Sequence, residues 1–350
     1  MTFSLLAALI MAGAVFVLLA KIRGIGFSIG PFDFDGPRPS SGELYDLVRS
    51  AVPIAALAAG VFAAVYAYRK QRVDEAASHR ADAEHLSSRY QGAAEQLGDD
   101  KAAVRLAGVY ALARLADDWP EQRQTCIDVL CAYYRMHVDT DALTSSEQQV
   151  RETILSSILE RLGHQSAPSW RGYSFDLRRS YFNTELRFTA GIGDTFIDAT
   201  GAIFDGCELI LSVPALDDLG VLALDKAIFK NDAKVEISGW LRTGVISFKD
   251  AQLLESRFDF TGVVIDGGRI DFYETQFVTA SAFFSGAHFH AGETRFDRAI
   301  FRGGEVFFDY AQFRPGVVSF GYASFEGTAF TFEDSEGEKP AGLPASQWRP

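Results

Sequence analysis

Sulfur is scarce in this chain, with 3 Cys and 3 Met among 350 residues. Cys126, Cys131 and Cys207 form an odd, widely spaced set without CxxC spacing or a nearby His pair, which argues against zinc and against a disulfide framework. Unpaired thiols suit a reducing compartment, so everything after residue 70 is expected on the cytoplasmic side. Positive charge is also short: 33 Lys+Arg against 46 Asp+Glu leave a formal charge of −13. Nucleic acid is therefore not an expected partner, and an anionic lipid surface offers no general attraction. Catalytic patterns are missing too. No Ser/His/Asp or Cys/His arrangement follows from the spacing, and Gly303-Gly304 leads into neither GxGxxG nor GK[ST]. His288 and His290 share a strand face, but Gln276 and Ile300 stand where a third metal ligand would recur. The chain reads as non-enzymatic, with no catalytic, cofactor-binding or metal-ligating residue assigned and no cofactor expected.

What is abundant is apolar. Hydrophobic residues make up 48% of the chain, and Phe alone contributes 29. Average cores use Leu first, so this excess of Phe requires an architectural reason. Two uncharged runs, Met1–Ala20 and Ala51–Tyr68, each reach the roughly 18–20 residues a helix needs to cross a bilayer core. They predict a transmembrane hairpin over 1–70, with spans at about 3–20 and about 51–68, and hence a lipid bilayer as one partner. The first run lacks the basic start and small-residue cleavage site of a signal peptide. Ser50 and Pro53 read as the start of the second helix. Gly24–Arg49, rich in Gly, Pro and Asp, reads as the loop between the spans. Flanking Lys and Arg do not decide the orientation. The thiols favour both termini inside, giving a multi-pass protein of the cell membrane.

From 71 to 165 the pattern has helical period. Asp99 is placed to cap a helix with Val104, Ala107, Gly108, Ala111 and Leu115 on one face. Trp119-Pro120 breaks it and opens a third helix carrying Ile127, Leu130, Cys131 and Tyr134. Thr144-Ser-Ser-Glu147 is a capping box before Val150, Ile154, Ile158 and Leu162, closed by Gly163. These short amphipathic helices must pack on one another, as a small bundle or a HEAT-like pair.

The strongest pattern has a period of twelve. Phe stands at Phe248, Phe260, Phe272, Phe284, Phe296, Phe308 and Phe320. Five residues after each come Leu253, Ile265, Phe277, Phe289, Phe301, Phe313 and Phe325. A column three after each Phe is mostly Ala. A fourth column is small: Gly244, Ser256, Gly268, Ala280, Gly292, Gly304, Gly316, Thr328. An irregular copy covers Leu224, Ala227 and Phe229, and the register breaks around Ser212–Gly220. A unit of twelve residues cannot bury two large anchors alone, so neighbouring units must stack, with like side chains in ladders near the strand spacing of about 4.8 Å. The small column marks corners where a Cβ does not fit or φ is positive. Asp259 and Asp271 recur one unit apart, as a carboxylate ladder interrupted by Phe283 and Arg295 and read as a solvated edge.

Ala287-His-Phe289-His-Ala291 and Ala323-Ser-Phe325-Glu-Gly327 resemble pentapeptide repeats. That resemblance, over about residues 173 to 332, implies a right-handed, four-sided β-helix. In the family the anchors are spaced five and five with twenty residues per turn; here they alternate at five and seven. Two twelve-residue units per coil would restore four sides, so a turn of 20 or of 24 residues stays open. The stretch Ala93–Trp119 is similar to a segment of actinobacterial membrane proteins that precedes a pentapeptide-repeat domain, and carries no known chemistry. The expectation is thus an α+β multidomain chain: a hairpin over 1–70, a helical domain over 71–165, a β-helix over 173–332 and a tail over 333–350.

Such a chain is expected to act as a membrane-anchored scaffold for a protein partner. Outward aromatics Tyr273, Phe283, Phe307, Tyr310 and Tyr322 exceed what a solvated face needs. Tyr273, Tyr310 and Tyr322 are the candidate interaction residues, and Tyr310 and Tyr322, in one column, are expected near each other. Packing of these rings under the tail is the plainer alternative. Some pentapeptide-repeat proteins mimic DNA and regulate a topoisomerase. The 15 acidic against 8 basic residues of 248–339 lean that way, while the anchor and Arg257, Arg269, Arg295, Arg298, Arg302 and Arg314 lean against it. An unrecognised enzyme is the least favoured reading.

Overall fold

The computed structural model describes residues 2–29, 32–136, 143–163, 168–188, 193–213, 220–315 and 317–350. Two compact units divide the chain, 1–85 and 86–350. In the first, helix α1 (Thr2–Ile22) leads into an antiparallel hairpin of Phe27–Ile29 with Phe32–Phe34, and then into α2 (Ser41–Leu97). Helix α2 therefore starts well before the expected Ser50. The cause is a capping box: the Glu43 N–H donates to Ser40 Oγ at 3.3 Å, and the Ser40 N–H donates to Glu43 Oε2 at 2.8 Å. Ser50 is interior and returns its hydroxyl to the Asp46 carbonyl, and Pro53 also lies inside the helix. Among the described residues one helix is long and apolar enough to cross a membrane, within Ser41–Glu75. Residues 3–9 of the expected first span have side chains outside the description, and what remains apolar in α1 is the shorter Ala12–Ile22.

In the second unit the end of α2 packs with α3 (Ala102–Asp118), a 3-10 turn at Pro120–Gln122, α4 (Arg123–Arg135) and α5 (Ser145–Leu162). At Gly108 a Cβ would lie 2.5 Å from the Leu97 nitrogen, so only glycine allows this approach of α3 to α2. The expected Thr144 cap forms, accepting from the Glu147 N–H at 3.2 Å. Asp99 caps differently: it accepts from the Lys101 N–H at 2.7 Å, and α3 has no side-chain N-cap. Val109, Leu112, Leu115, Ile127, Leu130, Val150, Ile154 and Ile158 are buried between the helices.

Strands from Ser174–Asp176 to Glu336–Gly337 form a parallel β-solenoid. Its turn length is 24 residues in the regular part: Phe277 pairs with Leu253 before it and Phe301 after it. Each coil holds two twelve-residue units and four sides. In one coil Gln276–Val278 forms side 1, Ser281–Phe283 side 2, and the bent strand His288–Arg295 sides 3 and 4. Earlier coils vary, with Phe182 opposite Phe204 and Phe204 opposite Phe229. The register break falls mainly on residues 214–219, which lie outside the description, as does Gly316.

This turn length divides the single Phe column of the sequence into two ladders. Phe248, Phe272, Phe296 and Phe320 stack at 4.7–4.9 Å with rings within 9° of parallel. Phe260, Phe284, Phe308 and Phe332 stack at 4.8–5.2 Å. Across the core the two ladders meet edge to face, as at Phe284–Phe296, 5.7 Å and 89°. Parallel stacking alone sets like faces together; the crossed ladder directs ring edges at ring faces, the favoured quadrupole arrangement. The second anchors build further ladders on side 1 (Phe277, Phe301, Phe325) and side 3 (Phe289, Phe313). The small column is as tight as expected at Gly304, where φ is +75° and a Cβ would lie 2.1 Å from the Ala280 carbonyl oxygen.

Helices close the first coil. Tyr134 of α4 stacks on Phe182 at 5.4 Å and so extends the side 1 ladder into the helical layer. Arg151, 4% exposed, donates to the Tyr134 carbonyl at 2.7 Å and to the Tyr181 carbonyl at 3.1 Å. At the far end the tail is part of the solenoid: Glu336–Gly337 pairs with Gln312–Phe313, and Trp348 packs on Phe313 and Phe332.

Candidate functional site

The outward surface is set by a turn that follows each first-column Phe. The Ala251 N–H donates to the Phe248 carbonyl at 3.0 Å, and the same bond closes Phe296–Ala299 and Phe308–Ala311. The third residue of each turn has positive φ, the type II pattern that favours glycine. Gly262 and Gly286 meet that demand, whereas Lys226, Asp250, Glu274, Arg298, Tyr310, Tyr322 and Asp334 occupy the equivalent places with φ of 53–59°. The fourth residue points inward, which explains the Ala column. Sequence reasoning missed that this twelve-residue column projects side chains outward from strained backbone; its signal is the alternation of Gly with charged and aromatic residues. Left-handed backbone at a non-glycine residue is a pointer toward function.

The two turn corners differ in chemistry. Between sides 4 and 1, Lys226, Asp250, Glu274, Arg298 and Tyr322 succeed one another at 24-residue steps. Arg298 reaches Glu274 at 3.2 Å, and the guanidinium groups of Arg295 and Arg298 lie 4.9 and 5.8 Å from the Tyr273 ring. A hydrogen bond from Tyr273 and then Arg298 hold the Glu274 carboxyl below its ordinary value. Asp271 is wholly buried here, held by Arg295 at 2.5 Å and by the Tyr273 N–H at 3.0 Å. Charge at this corner is largely neutralised within the chain, and Tyr273 is covered by its own arginines.

Between sides 2 and 3 the corner carries Asp309, Tyr310, Glu333 and Asp334. The Tyr310 N–H donates to the Glu333 carbonyl at 2.8 Å, and the Glu333 N–H donates to Asp309 at 2.8 Å. Tyr310 is 61% exposed and Tyr322 is 94% exposed. Neither lies under the tail. They are not neighbours: the shared twelve-residue column places them half a coil apart, at the corner of sides 2 and 3 and the corner of sides 4 and 1. Asp259 and Asp271 are separated for the same reason. Asp259 is stacked against Phe283 and Asp271 against Arg295, so the two carboxylates form no common ladder.

Side 2 also carries rings outside the core ladders. Phe283 and Phe307 stack at 4.8 Å on the outer face, each half-buried. The guanidinium of Arg257, paired with Asp259 at 2.9 Å, lies 4.2 Å from the Phe283 ring. An open groove of about 500 Å³ runs alongside, lined in part by Lys234, Glu255, Arg257 and Phe283. Another groove, between α2 and α3, has a floor of Gly92, Ala93, Ala107 and Ala111 with Tyr110 at its rim. On side 3, Trp240 is stacked by Arg242 at 4.9 Å.

His288 Nδ1 lies 2.9 Å from Gln312 Oε1. Among the described residues there is no group of three or more His, Cys, Asp or Glu side chains placed to hold a metal. The three cysteines are free and buried; burial pushes the Cys126 and Cys207 thiols up to about 11 and Cys131 to about 12. They are neutral packing groups at physiological pH rather than nucleophiles.

These features define a parallel β-solenoid protein with a helical N-terminal region, compatible with a pentapeptide-repeat fold. Comparison of the chain with known protein families, curated proteins and solved structures gave no match.

Proposed function

We propose that the chain is a non-enzymatic, membrane-tethered scaffold whose solenoid presents outer faces to a protein partner. One observation carries this reading: Tyr310 and Tyr322 stand 61% and 94% exposed in left-handed turns where glycine would be unstrained. Keeping large rings there costs stability, and aromatic rings on rigid backbone are good binding anchors. Membership of the pentapeptide-repeat group, a right-handed coil, a second span in α1 and cytoplasmic soluble domains belong to the same proposal. The apolar length of Ser41–Glu75 supports the tether. A photoreactive residue at position 310 or 322 of the full chain in cells tests the scaffold. A specific protein crosslinked there, and lost on Tyr310→Ser or Tyr322→Ser, is the expected result. Crosslinks only within the chain at both positions would overturn it.

A further inference from the structure

On this chain's own surface, aromatic rings are covered by guanidinium groups: Arg257 on Phe283, Arg295 and Arg298 on Tyr273, Arg242 on Trp240. The Phe307 ring breaks the pattern. It stacks on Phe283 at 4.8 Å, which covers the face that Arg257 covers on Phe283, and its other face turns toward Thr331 of the next coil, which carries no guanidinium. The surroundings change in the same step. Over 281–287, 305–311 and 329–335 the chain has Glu305, Asp309, Glu333 and Asp334 and no Lys or Arg. Asp309 is engaged by the Glu333 N–H and the Thr331 hydroxyl. Glu305, Glu333 and Asp334 are exposed and have no ion pair among the described residues. Tyr310, also without a ring partner among them, stands at the edge of this face.

We propose that side 2 of the last three coils docks an arginine-bearing segment of a partner protein, with one guanidinium lying flat on Phe307 and others reaching Glu305, Glu333 and Asp334. Charge complementarity at an unpartnered sheet face selects this occupant. A planar cation suits both an open ring face and nearby carboxylates, and Arg does this better than Lys because its fork stacks and pairs at once. Internal Arg257 displays this geometry at the other end of the two-ring stack, on Phe283 and beside Asp259. The inference rests on the scaffold reading and names the chemistry of the partner.

Full-length protein in detergent micelles, titrated with a fluorescent alternating Arg-Gly peptide and with its Lys-Gly counterpart, tests this by anisotropy. The Arg-Gly peptide is expected to bind the more tightly. Phe307→Ser should weaken it about fivefold. Thr331→Arg should weaken it similarly, because the chain then covers the free face of Phe307 itself while the core ladders are untouched. Glu333→Gln with Asp334→Asn should weaken binding and flatten its salt dependence. Equal binding of the two peptides, no binding of either, or Phe307→Ser and Thr331→Arg both indistinguishable from the unaltered protein would each overturn the proposal. If a partner is nonetheless captured at Tyr322 and lost on Tyr322→Ser, the scaffold stands and only the arginine-bearing partner falls.

Discussion

Phe296 touches nearly everything that makes this core unusual. It stacks on Phe272 and Phe320 and meets Phe284 and Phe308 with its edge. Phe296→Ala should cost about 3–5 kcal/mol in urea unfolding, since neighbours fixed at strand spacing cannot collapse into the cavity. Phe283→Ala removes a half-exposed ring, its stack on Phe307 and the contact with Arg257, and should cost no more than about 1–2 kcal/mol. Equal losses at the two sites would show that the inward and outward columns are misassigned. Thr294 is a subtler case. It occupies the inward position of side 4 between Ile270 and Val318, wholly buried, and its hydroxyl has no hydrogen-bond partner among the described residues. Thr294→Val keeps the shape and removes the orphaned polar atom, so it should raise stability by about 1 kcal/mol in the same assay. A loss of that size would mean that the hydroxyl is satisfied in solution.

At the scale of elements, the helical layer matters as an end cap. A β-solenoid leaves strand edges and ring faces open at its first coil unless something covers them. Here Tyr134 continues the ring ladder, and Arg151 satisfies backbone carbonyls from both layers while its guanidinium lies 4.1 Å from the Tyr134 ring. Asp117 secures the same junction, accepting from Arg161 at 2.8 Å and from the Trp170 indole at 2.8 Å. Arg151→Ala should therefore cost about 2–3 kcal/mol, by leaving buried carbonyls without donors. Hydrogen exchange should rise first at Tyr181–Phe182, and Arg151→Lys should rescue little because one ammonium cannot serve both carbonyls and the ring. Protection loss spread evenly over all coils would instead mark Arg151 as important to global stability rather than to the cap. Of this junction, the sequence shows the helices, their apolar faces and the Thr144 cap. It does not show that Tyr134, which reads as a core residue of a bundle, serves as the first rung of a ladder.

For the whole molecule, the proposed tether would decide where the faces described above are displayed. The apolar stretch within Ser41–Glu75 has the length to cross a bilayer, and only about 11% of its most apolar window is buried inside the protein. The full chain should sediment with membranes and need detergent for release, whereas a chain lacking residues 1–75 should remain in the soluble fraction. Recovery of the intact chain from the soluble fraction without detergent would remove the tether and, with it, the membrane part of the proposed function.

The twelve-residue Phe period determined by itself that stacked units would bury these rings, because no single unit can do so. It also set which columns face inward, since two apolar anchors and one small residue per unit leave few other choices. The number of units per coil was beyond its reach: a period of twelve is satisfied equally by columns that lie above one another and by columns on opposite sides. Only the pairing of Phe277 with Leu253 and Phe301 decided for 24 residues per turn. That one tertiary fact split one Phe column into two crossed ladders and moved Tyr310 away from Tyr322. It also set Asp271 beneath Arg295, and stacked Phe307 between Phe283 and Thr331 while Arg257 caps the far side of Phe283.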